Sequence, residues 1–148
     1  MNDRDATFDT TEHPGTRVLA VTGEIDLAMA ARFAEELTAL IAGTDGMSVI
    51  DLSGVTFIDS SGVRELLKAK RQAEMTKKQL LLLNPSPSCR RVLEVSGVWN
   101  EFAVEETPAE RDVRSHQSSA RGLAARVSLW IRHEKHVYIW TPRSSASG

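Results

Sequence analysis

The chain predicts an α/β domain, a mixed β-sheet of about four to five strands with helices packed on it and a C-terminal tail of a different character. Three observations carry this. Short apolar runs alternate with longer segments of helical periodicity, in the order β-β-α-β-α-β-α-β. The first two strand-like runs are separated by His13-Pro14-Gly15, a turn signal that suits a hairpin. Each long helical segment keeps its charged residues off an apolar stripe, so each has one face to bury. Strands separated by helices favour parallel neighbours and right-handed crossovers, and the hairpin adds one antiparallel pair.

Thr16-Arg17-Val18-Leu19-Ala20-Val21-Thr22 is rich in β-formers, and Ala6 to Thr10 is its expected hairpin partner. Gly23-Glu24-Ile25-Asp26 is read as the break that follows, with Asp26 as the N-cap of a helix from Leu27 to Ala42. Ala30, Phe33, Leu37, Leu40 and Ile41 form its inward stripe, and Gly43 is its stop. Met47 to Leu52 is predicted as a central strand, with a turn starting at Ser53-Gly54. Val55 to Val63 then leads into a second helix with Val63, Leu66, Leu67, Ala69 and Ala73 inward and Arg64, Glu65, Lys68, Arg71 and Lys77 outward. Gln79 to Leu83 reads as a buried strand and Asn84-Pro85-Ser86-Pro87 as a breaker. Ser88 is placed as the cap of a short helix with Cys89, Val92, Leu93 and Ser96 inward, ended by Gly97. Phe102 to Val104 is the expected last edge strand.

Residues 1–106 make up this domain, and residues 107–148 the tail. Glu110 to Ser119 is polar and irregular, Ala120 to Arg132 carries a helical stripe of Leu123, Val127 and Trp130, and His136 to Trp140 has a strand pattern. Thr141 to Gly148 is read as disordered. Of the 148 residues, 41% are hydrophobic and 26% charged, ordinary for a globular protein. The net charge of −2 conceals a division, because residues 1–106 hold 11 Lys and Arg against 17 Asp and Glu, and residues 107–148 hold 7 against 3. An acidic domain releases no counterions from a phosphate backbone, so direct nucleic-acid binding is not expected. No run approaches the roughly 20 apolar residues that cross a bilayer, and no secretory signal pattern opens the chain. One cysteine, Cys89, precludes an intrachain disulfide and suits a reducing compartment, so the expected location is the cytoplasm.

The stretch with chemical content is Asp59-Ser60-Ser61-Gly62, two hydroxyls and a carboxylate where a helix begins. A serine nucleophile elbow would need Gly-x-Ser-x-Gly, but Ile58 and Asp59 occupy the first glycine's place and no histidine lies between residues 14 and 115. There is no glycine-rich phosphate loop. His133-Glu134-Lys135-His136 lacks the spacing and third ligand of a metal site, and reads as surface histidines in a basic tail. Cys89 falls on an apolar face, where a buried, inert thiol is expected. The Asp-Ser-Ser-Gly stretch itself fits two roles, helix capping by a serine or carriage of a phosphate at the helix N-terminus. A phosphoryl group of about −2 charge would lie near Asp59 and Asp26, and the added charge would disfavour an acidic partner surface without refolding the domain.

Three blocks, Gly23-Glu24-Ile25-Asp26, Val49 to Gly62 and Leu93-Glu94-Val95-Ser96-Gly97-Val98, together resemble the STAS domain of bacterial anti-sigma factor antagonists over about residues 6–106. The resemblance implies a binding module rather than an enzyme, with no cofactor of its own. It implies that the unphosphorylated chain binds an anti-sigma factor of serine-kinase type and so frees a sigma factor. That kinase would phosphorylate Ser60, and a PP2C-type phosphatase would reverse the step. Asp26 and Asp59 match the acidic positions around the site, and Ser61 and Gly62 complete the motif, with Ser61 expected as the cap. The alternative implied by the same family is a STAS scaffold that does not switch, in a larger regulatory or transport-associated assembly. The tail departs from the family pattern. Glu105 to Glu110 begins like the acidic, apolar-patterned segment that forms the family's final helix, then gives way to Arg-, Ser- and Trp-containing sequence.

Overall fold

A computed structural model describes residues 5–107. The tail elements expected beyond residue 107, and the histidine pair at 133 and 136, lie outside the described residues. Five strands form one sheet in the order β1-β2-β3-β4-β5. Strand β1 (Thr7–His13) turns through Pro14-Gly15 into the antiparallel β2 (Thr16–Ile25), with His13 opposite Thr16. Gly15 takes φ +74, the left-handed conformation that this two-residue loop requires. Strands β3 (Met47–Ile58), β4 (Gln79–Leu83) and β5 (Ala103–Glu105) then follow in parallel, each beside the last. Helices α1 (Leu27–Ala42), α2 (Ser60–Met75) and α3 (Pro87–Val95) make the crossovers. Every crossover steps in the same direction along the sheet, so right-handed connections place all three helices on one face.

The main core lies between that face and the helices. Phe33, Leu37, Leu40 and Ile41 of α1, Val63, Leu66, Ala69 and Ala73 of α2, and Cys89 and Leu93 of α3 meet Leu19, Val21, Ile50, Leu52, Leu82 and Val104 from the strands. A second apolar cluster, Val18, Met47, Val49, Leu81 and Leu83, comes from alternate positions of the same strands. Both faces of β3 and β4 are thus apolar, which is why these strands read as near-continuous hydrophobic runs.

The element order is the predicted one, and α1 has the predicted span, cap and buried stripe. Five local expectations are corrected. Gly23 does not break β2, since it bends through φ +93 and the strand runs on to Ile25. Ser53-Gly54 does not form a turn, because β3 continues to Ile58 and its register with β2 shifts twice, between Ala20 and Thr22 and between Gly23 and Glu24. The cap of α3 is Ser86, whose hydroxyl accepts from the Cys89 N–H at 3.2 Å, rather than Ser88, and Pro87 takes the first turn, where its missing N–H is harmless. Ser96 is exposed and ends α3, and Leu67 is only half-buried.

Cys89 is fully buried, and burial pushes its thiol up to about 12. Native protein at pH 8 is expected to resist alkylation by iodoacetamide over hours, while denatured protein takes up one equivalent at once. Rapid labelling of the native form, read by mass spectrometry, would contradict this placement.

Candidate functional site

The site is built where two parallel strands end and two helices begin. Ile25 of β2 is the register partner of Ile58 of β3, and the next residue in each chain segment is an aspartate that caps a helix. Asp26 has φ −113 and ψ −170, and Asp59 has φ −114 and ψ −171, so the two junctions share one backbone geometry. The Asp59 N–H donates to the Ile25 carbonyl at 3.2 Å and ties the junctions together. Asp26 Oδ1 accepts from the Met29 N–H at 3.2 Å. Asp59 Oδ1 accepts from Ser61 N–H at 2.9 Å and Gly62 N–H at 3.3 Å.

The cap of α2 is therefore Asp59, and the expectation that Ser61 plays that part is corrected. A carboxylate at this position satisfies two of the helix's unpaired N–H groups and opposes the positive end of its dipole. The two serines are left with different situations. Ser61 is buried, with 8% of its surface exposed, and turns into the core side of the helix. Ser60 is exposed at the first helical position, and among the described residues no hydrogen bond engages its hydroxyl. Leu27, its counterpart at the start of α1, is also exposed, at 73%.

Gly62 explains how α2 comes so close to the strand ends. A Cβ at this position would lie 2.7 Å from Ile58 Cγ1 and 2.9 Å from Ile25 Cγ2. Both isoleucines are buried core residues, so the helix can rest on them only if residue 62 has no side chain. The structure thus brings Asp26, Asp59, Ser60, Ser61 and Gly62 to one end of the sheet.

Sequence reasoning missed the part played by Asp51. The two register shifts give β3 two more residues than β2 over this span, and that is what sets Ile58 opposite Ile25. Asp51 braces the first shift, its Oδ1 accepting from Ser53 N–H at 3.0 Å and Ser53 Oγ–H at 2.7 Å. Gly54 allows the strands to meet there, since a Cβ would stand 2.6 Å from Thr22 Cγ2. The Asp-x-Ser-Gly run was visible, but in isolation it has the same composition as a turn.

Burial pushes the Asp51 carboxyl above its ordinary value, against the weaker opposing effect of its two bonds from Ser53. The folded state then holds this proton more tightly than the unfolded chain does. Its contribution to stability is fully present below the unfolded value near 3.8 and is lost as pH rises through the folded value. Asp51→Asn keeps an acceptor and removes the charge, so it is expected to lose less stability than the parent between pH 4 and pH 7. Urea denaturation at the two pH values checks this, and equal losses would contradict it.

Among the described residues no helix is long and apolar enough to cross a membrane, and no group of three or more His, Cys, Asp or Glu is placed to hold a metal ion. A mixed five-stranded sheet with three helices packed on it matches the fold of the STAS class of regulatory domains. The STAS domain family matches residues 7–111, and the chain belongs to it. The anti-sigma F factor antagonist of Lysinibacillus sphaericus is 35% identical over 99 residues, covering 65% of this chain and 85% of that protein. An anti-sigma factor antagonist from Mycobacterium paratuberculosis superposes with TM-score 0.62 at 26% identity, over 77% of this chain and 95% of the other. The Bacillus cell fate determinant SpoIIAA, in its phosphorylated form, superposes with TM-score 0.54 at 26% identity, over 74% and 98% of the two chains.

Proposed function

We propose that this chain is an anti-sigma factor antagonist, a regulatory binding protein rather than an enzyme, which works in the cytoplasm through reversible phosphorylation of Ser60. In its unphosphorylated form it binds an anti-sigma factor of serine-kinase type and so frees a sigma factor. The kinase ends the interaction by transferring a phosphoryl group from ATP to the Ser60 hydroxyl, and a PP2C-type phosphatase restores it. The nucleotide belongs to the kinase, so the chain itself uses no cofactor.

The observation that carries this reading is the contrast at the start of α2. Asp59 does the capping, which leaves the exposed Ser60 hydroxyl unengaged while Ser61 is buried. A hydroxyl that was needed as a cap would be poorly available for transfer, and here it is not needed. The phosphate would sit at a helix N-terminus, a favourable place for an anion. The antagonist names of the relatives, and the phosphorylated form of SpoIIAA among the similar structures, support the same reading.

The direct test is incubation with the cognate anti-sigma kinase and ATP, followed by mapping of the phosphate by mass spectrometry. One phosphate on the peptide containing Ser60, absent from Ser60→Ala, is the expected result. Phosphate that persists on Ser60→Ala overturns the site, and no incorporation overturns the kinase relationship.

A further inference from the structure

Arg64 stands four residues beyond Ser60 on α2, and both are exposed. Helical residues four apart lie on one face with Cβ atoms about 5–6 Å from each other. Side chains on a helix lean toward its N-terminus, so a long side chain at 64 extends toward position 60. The lysines of α2 are already engaged, Lys68 with Glu65 at 3.5 Å and Lys70 with Glu74 at 2.6 Å. Arg64 has no hydrogen bond or ion pair among the described residues. It is a free guanidinium one turn from a free hydroxyl.

Resting on the reading of Ser60 as phosphoacceptor, we propose that Arg64 is the chain's own counter-ion for the phosphate, forming a phosphoserine–arginine pair along the first turns of α2. The planar fork of an arginine matches two phosphate oxygens, and the pair adds to the stabilisation given by the helix N-terminus. It offsets the nearby carboxylates of Asp59 and Asp26, both of which oppose a second negative charge on the phosphate. Pairing also withdraws Arg64 from the surface, so a single modification changes two charges seen by a partner. Arg71, the other unpaired cation of this helix, is eleven residues from Ser60 and about 16 Å along the axis, out of reach.

The test places phosphoserine at position 60 of the full chain during translation, with no kinase involved, and follows its ionisation by phosphorus NMR. Arg64→Gln is expected to raise the titration midpoint by about 0.3 pH unit or more. Arg64→Lys is expected to recover part of the difference, and Arg71→Gln to leave the midpoint in place. Circular dichroism establishes that each variant keeps its fold. An unmoved midpoint in Arg64→Gln, or an equal movement in Arg71→Gln, overturns the pair. Because the phosphate is installed directly, this outcome is separate from the kinase experiment, whose failure would overturn the proposed function and not the pair.

Discussion

Ser60→Asp is expected to weaken binding to the cognate anti-sigma factor by about tenfold to a hundredfold, or roughly 1.4–2.8 kcal/mol. The substitution adds a third carboxylate to a surface that already has Asp26 and Asp59 on adjacent, hydrogen-bonded junctions. Fold stability moves the other way or not at all, because an acidic side chain in the first turn of α2 opposes the helix dipole favourably, by about 0.3–1 kcal/mol. The mutation therefore separates interface from fold. Titration calorimetry of the variant and the parent measures the difference, and raising the salt concentration should narrow it as the charges are screened. Unchanged affinity in a folded Ser60→Asp variant would remove the charge mechanism. A stable complex with a partner that is not a kinase, indifferent to the same substitution, would favour a scaffold that does not switch.

Gly62→Val is expected to destabilise the domain by about 2–3 kcal/mol, lowering the melting temperature by about 10 °C or more. Its first added carbon would stand 2.7 Å from Ile58 Cγ1 and 2.9 Å from Ile25 Cγ2. Neither side chain can give way easily, because both are β-branched, stiff about χ1 and packed into the main core. The alternative is for the start of α2 to lift off the strand ends, which would stretch the two N–H bonds to Asp59. Gly62→Ala should be milder, since helix propensity returns up to about 1 kcal/mol of what the contact removes. Thermal unfolding of the two variants checks the order. A valine variant as stable as the parent would mean that the close approach of helix and sheet is not required.

Much of this fold was legible because each helix declares its buried stripe. Phe33, Leu37, Leu40 and Ile41 recur at helical spacing, and no other assignment buries them together. The strand lengths were less legible at Gly23 and at Ser53-Gly54. A glycine that permits a bulge and a glycine that ends a strand have the same composition around them, and only pairing with a neighbour tells them apart. Had the chain turned at Ser53-Gly54, the positions of Ile58 and Asp59 relative to Ile25 and Asp26 would be undefined. The site was legible as a set of residues for the same reason that it was ambiguous in its roles. Asp59, Ser60 and Ser61 are all capable caps, and the choice depends on the residue at which the backbone becomes helical. That is fixed by the tie from Asp59 N–H to Ile25 across the strands, a contact between residues 34 apart in the chain.

The shared geometry of the two aspartate junctions also bears on what association takes from the chain. A recognition segment on a loose loop must be immobilised when it binds, at about 0.5–1.5 kcal/mol for each flexible side chain that is frozen. Here the backbone around Ser60 is held before any encounter, by a cross-strand hydrogen bond on one side and by the packing of Gly62 on two core isoleucines on the other. Under the proposed function, a partner would therefore meet a surface whose entropy has already been spent in folding, and one charge at Ser60 would be enough to adjust its affinity.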